Sequence, residues 1–195
     1  MRRVFEVVLL SLVSGSVLAH SPVAGLNQFY NGLLHPLLVP TQLLVLLSLG
    51  LLLGQQKPAD VRVAPLVIPT AAVVGLLVTL WVPVINVDVY LLAGATVVGL
   101  LVASKPSLRW HWCVIVGALL VLVIGIDSSQ AELSGTTWLL SAAGTLIGIC
   151  LLLLYAMGLA TWCRSTALKG IGVRIVGSWI TASAFLVFAL SQISG

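Results

Sequence analysis

Leu43-Leu44-Val45-Leu46-Leu47-Ser48-Leu49-Gly50-Leu51-Leu52-Leu53 turns apolar side chains to every face of a helix, with only Ser48 and Gly50 interrupting the run. A helix that is apolar all round lies in a large core or in lipid. The rest of the chain decides between the two. Of its 195 residues 7% are charged and 60% apolar, against roughly 25% charged in soluble domains. A soluble globular chain is excluded. Membrane strands are excluded as well, because they alternate apolar and polar residues over about 10 positions. Residues 7–56, 63–87, 89–104, 110–126, 133–163 and 175–195 hold no Asp, Glu, Lys or Arg, and each stretch is near or above the ~20 residues that cross hydrocarbon. The expected fold is all-α: a polytopic bundle of six transmembrane helices after a cleavable signal peptide.

Arg2 and Arg3 precede a moderately apolar stretch that ends in Val17-Leu18-Ala19, the pattern of a signal peptide over residues 1–19. Cleavage there leaves residues 20–195 as the transmembrane domain, with His20 at its start; an uncleaved signal anchor is the alternative. The six spans are expected over 29–55, 63–81, 89–104, 110–126, 136–162 and 175–190. Pro36 and Pro40 remove two helix donors within five residues of the first span, so its backbone should be irregular there.

Past residue 19, the only Lys and Arg are Lys57, Arg62, Lys105, Arg109, Arg164, Lys169 and Arg174, all in alternate loops. The excess of basic residues in cytoplasmic loops orients the chain, with both mature termini on the outer, periplasmic side of a bacterial inner membrane. Trp81 and Trp138 then fall at outer ends, and Trp110, Trp112 and Trp162 at inner ends, as interfacial belts. The net charge of +4 reflects orientation rather than a groove for nucleic acid. The partner is the lipid bilayer, with a homo-oligomer or a larger membrane complex also open. Gly144 and Gly148 form a GxxxG step that allows a close helix crossing, within the chain or between subunits. Lys169 to Arg174 reads as a short flexible turn.

Asp88, Asp127 and Glu132 gather on the outer side with His20 and His35. This nitrogen- and oxygen-bearing surface, without neighbouring cations, suits a divalent metal; negative outer loops that merely accompany orientation are the other reading. His35 lies six residues into the first span, where an imidazole needs a partner, supplied by a ligand or by a neighbouring helix. His20, as a mature N-terminus, offers its amino group and Nδ1 to copper, nickel or zinc. The candidate metal residues are His20, His35, Asp127 and Glu132. Catalysis is not expected: no Ser/His/Asp or Cys/His set shares one side, and no nucleotide motif is present.

The signal peptide ending before His20, the first-span opening Phe29-Tyr30-Asn31-Gly32-Leu33-Leu34-His35-Pro36-Leu37, six short hydrophobic helices and a Gly-rich last helix together resemble the HupE/UreJ family of hydrogenase and urease accessory membrane proteins. The resemblance implies a permease whose cargo is nickel or cobalt. Within the family's first-helix pattern H-P-x-x-G-x-D-H, His35 and Pro36 match, while Val39, Thr41 and Gln42 stand in place of Gly, Asp and His. The family's outer loop, H-G-x-A-H-G-x-E, corresponds to 125–132, where Glu132 is kept and Asp127 stands as a substitute oxygen ligand. Two functions follow: a carrier of nickel, cobalt or copper entering from the periplasmic side, or a non-transporting membrane subunit or assembly factor of a larger metalloenzyme complex.

Overall fold

The computed structural model describes residues 25–81, 86–128, 133–165 and 170–193. Every regular element among them is helical. The proposed signal peptide, with His20 beyond it, lies outside the described residues. Asn27 opens the first helix, its side chain accepting a hydrogen bond from the Phe29 amide at 3.0 Å. This helix, α1 (Gln28–Leu38), stops at Val39, whose backbone is extended (φ −87°, ψ 107°). The residue before a proline is pushed out of the helical region, and Pro40 then starts α2 (Pro40–Gln55) as its first residue, where a missing amide costs little. The first expected span, 29–55, is therefore not one tilted helix. It is a pair bent by 72° at the break.

The remaining helices are α3 (Pro58–Val61), α4 (Ala64–Val78), α5 (Asp88–Ser104), α6 (Trp110–Asp127), α7 (Gly135–Ser165) and α8 (Ile171–Ile193). The turn expected through Arg174 is confined to its start: Gly170 takes φ +83°, and helix α8 already includes Arg174. By length and composition, Pro58–Val78, Gly135–Arg164 and Ile171–Ile193 can each cross a membrane, and the α1–α2 pair adds a fourth path. Helix α5 and the run His111–Asp127 are apolar but shorter.

Helix α2 is the axis of the bundle. Leu46, Leu49 and Leu52 are fully buried on it, while Leu100, Leu119, Tyr155, Trp179 and Leu186 of the outer helices are exposed. Apolar residues covering the outside of a bundle suit lipid rather than water. Three close pairs surround the axis: α1 with α7, α4 with α6, and α5 with α8. Small residues bring them together. A Cβ on Gly144 would strike the Phe29 carbonyl, and one on Gly148 the Leu33 carbonyl, so the GxxxG step of α7 is filled by α1 from within the chain. Gly50 and Gly54 of α2 press in the same way on Leu153, Met157 and Ala160 further along α7. Contacts thus advance along α7 in chain order, and the bent pair follows it as one broken path.

The two ends of the bundle differ in charge. At one end Arg164 donates to the Gln56 carbonyl (2.9 Å) and Arg174 to the Ala103 carbonyl (2.8 Å), capping the closing turns of α2 and α5 with cations. The Gln56 side chain donates to the Pro106 carbonyl and accepts from the Leu108 amide (3.2 Å), which draws the loop holding Lys105 and Arg109 to the same place. Asp88 begins α5 and Asp127 ends α6, so both sit at the opposite end.

The glycine contacts give a paired expectation. Gly144→Ala should destabilise by about 1–3 kcal/mol through overpacking, while Gly158→Ala, where nothing lies within 4 Å, should be neutral or gain up to about 1 kcal/mol of helix propensity. Thermal unfolding of both variants in detergent checks the opposite signs.

Candidate functional site

The break at Val39 determines which side chains meet. His35 is on the last turn of α1 and Gln42 is the third residue of α2, seven positions apart, and the bend turns both inward. Gln42 is fully buried and His35 is 5% exposed. The Gln42 amide nitrogen lies 3.3 Å from His35 Nε2 and donates to Asp127 Oδ2 at 2.7 Å. Its two protons suffice for both, with the imidazole accepting when its own proton is on Nδ1. On its other side, Gln42 Oε1 faces the Ser128 hydroxyl at 3.4 Å. That hydroxyl has one proton, and the shorter bond to the Ile124 carbonyl, 2.7 Å, holds it. The amide oxygen of Gln42 is therefore only weakly engaged by Ser128.

Asp127 is unusual where it stands. A carboxylate on the last residue of a helix faces the negative end of the helix dipole, an unfavourable placement of about 0.3–1 kcal/mol when exposed. This one is also buried, and its helix has no Lys or Arg after Arg109. The Gln42 N–H helps to make its burial tolerable, since a buried carboxylate that loses a hydrogen bond is destabilised by several kcal/mol. A second carboxylate stands beside this cluster: Thr41 Oγ1 donates to Asp88 Oδ1 at 3.0 Å. Adjacent residues of α2 thus each hold an Asp from another helix.

Of the four candidate metal residues, His35 and Asp127 come together through Gln42. His20 and Glu132 lie outside the described residues, and among the described residues no group of three His, Cys, Asp or Glu could hold a metal ion. Sequence reasoning placed Asp88 in the outer acidic surface and Thr41 and Gln42 on the path below His35, without counting Gln42 or Asp88 among the four ligands, and did not single out Ser128. The signal for Gln42 was its position: a polar side chain opening an otherwise apolar run is buried, and so needs partners. Cys113 is buried in the core, as a packing residue would be.

A double-mutant cycle tests the cluster. Gln42→Met and Asp127→Leu should each lower stability in detergent. The double variant should lose less than their sum, with a coupling of about 1–3 kcal/mol. Additive losses would show that the two side chains do not support one another.

The chain matches no curated protein and no solved structure. The family model described as HupE / UreJ protein matches residues 8–187, which takes in the broken first path, the polar cluster and the greater part of α8. His35 and Pro36 of the family's first-helix pattern lie in the last turn of α1 before the break, and Thr41 and Gln42, where that pattern has Asp and His, are the two that bind carboxylates. The chain belongs to the HupE/UreJ family of membrane proteins.

Proposed function

We propose that the protein carries a divalent transition-metal cation, nickel, cobalt or copper, into the cell from the periplasmic side of a bacterial inner membrane. In this reading the chain crosses the membrane six times, its basic end faces the cytoplasm, and both termini of the mature protein lie outside after removal of residues 1–19. One observation carries the reading: the Gln42 amide nitrogen occupies the point between His35 Nε2 and Asp127 Oδ2. A group with partial positive charge held by an imidazole lone pair and a carboxylate oxygen marks where a cation would be held. Rotation of the amide by half a turn would replace its N–H groups with Oε1, giving one nitrogen and two oxygen donors. Asp88, held at Thr41, adds negative charge at the approach, and His20 and Glu132 are proposed as outer collectors. With few nitrogen donors, affinity is moderate, as suits a cargo that must leave again.

Beyond the cluster, Val45, Leu46, Leu49 and Leu53 of α2 pack with Ile68, Val121 and Ile149 into an apolar core. Passage requires this part to open, and the break at Val39 is where α2 can tilt against α1. The closed core also favours a second reading, a membrane subunit that binds metal without passing it. Docking through Gly144 and Gly148 has no support, since α1 already fills that face. Uptake of nickel, cobalt, copper and zinc by cells expressing the wild type, His35→Ala, Asp127→Asn or a variant lacking His20 separates the readings. The carrier predicts uptake of at least one metal above empty cells and a fall to background in His35→Ala and Asp127→Asn at equal membrane levels. Uptake no higher than in empty cells, or unchanged in His35→Ala, overturns it.

A further inference from the structure

A cleft of about 140 Å³ opens on the side of the bundle between α2, α4 and α7. Leu53 forms its floor, Pro65 and Pro69 one wall, and Cys150, Leu154 and Met157 the other. Its origin is local. Helix α4 gives its small face, Ala72 and Gly75, to Gly125 of α6, and the two prolines four residues apart turn compact rings toward α7. The helices therefore stand apart over their basic-end halves. Leu154 is 58% exposed at the mouth, so the cleft faces the surroundings of the bundle. Two of its walls belong to candidate membrane-crossing segments, Pro58–Val78 and Gly135–Arg164. Water does not fill an apolar slot in hydrocarbon, and an empty slot loses the dispersion contacts of its lining.

Ala64 and Pro65, at one end of the cleft, follow directly in the chain on a second, smaller hollow lined by Ala59, Asp60, Arg62 and Val63. Arg62 is exposed there, Lys57 caps α3 just before it, and Arg164 reaches the Gln56 carbonyl at the same end. Asp60 offsets one of these three cations. We infer that the α2–α4–α7 cleft binds an anionic phospholipid, one acyl chain in the apolar slot and the phosphate at Arg62. Basic residues beside membrane helices attract anionic headgroups by about five-fold in affinity each. Shape selects the chain, and charge selects the headgroup.

Native mass spectrometry of the purified full chain in detergent, mixed with equal amounts of phosphatidylglycerol and phosphatidylcholine, tests this. The wild type should retain one phosphatidylglycerol per chain, about five-fold or more over phosphatidylcholine. Arg62→Gln should bring that ratio down about five-fold, and Cys150→Phe, which fills the slot, should remove bound lipid of both kinds. Melting curves without lipid establish that the variants are folded, and the wild-type comparison stands without them. Equal retention of the two lipids by the wild type overturns the proposal. So does a ratio unchanged in folded Arg62→Gln, or retention unchanged in folded Cys150→Phe.

Discussion

Two prolines four residues apart, Pro36 and Pro40, cannot donate the helical hydrogen bonds that would carry the backbone straight through Val39. Pro40 also forces Val39 into an extended conformation, and from that single constraint the 72° bend follows. The bend separates α1, which lies in the glycine groove of α7, from α2, which enters the centre of the bundle. Without it, His35 and Gln42 would be stacked along one uninterrupted helix, and the imidazole would have no reason to face the end of α6. Irregular backbone at membrane depth persists where the chain needs a cavity or a site, and here it frames the polar cluster.

The cluster itself is a compromise between stability and charge. Asp127 is buried at the wrong end of its helix, held by the Gln42 amide at 2.7 Å, and Thr41 holds Asp88 beside it. A chain under pressure only to fold in lipid would place leucine at the position of Asp127. The opposite end shows the contrary arrangement, in which Arg164 and Arg174 satisfy the closing carbonyls of α2 and α5. Those charges sit where helix dipoles favour them. At the other end the two carboxylates differ: Asp88 sits at the start of α5, where the dipole favours it, and Asp127 at the close of α6, where the dipole opposes it.

Much of this arrangement is legible in the amino-acid sequence. The apolar runs place the helices, and the bounds of α5 and α6 differ from the expected ones by a residue, because Asp88 and Lys105-Pro106, and then Arg109 and Ser128, punctuate them sharply. The unequal distribution of Lys and Arg anticipates a bundle with one basic end. What the sequence does not disclose is the partner of His35, since Gln42 and Asp127 approach it from two other helices 7 and 92 positions away. Spacing carries no information about such contacts. The prolines announce an irregularity but not its size, because a lost amide can kink a helix slightly or break it, depending on how the two halves pack. The GxxxG step is equally ambiguous in sequence, and only the packing of α1 into it decides which helix it meets.

The central claim is that the point held by the Gln42 amide is a cation site. X-ray absorption spectroscopy of the purified protein, loaded with nickel, cobalt or copper and then desalted, addresses it most directly. A cation site there requires a retained metal with a shell of oxygen donors and one imidazole that disappears in His35→Ala and changes in Gln42→Glu. Failure to retain any of the three metals, or a shell unaltered by His35→Ala, would contradict it.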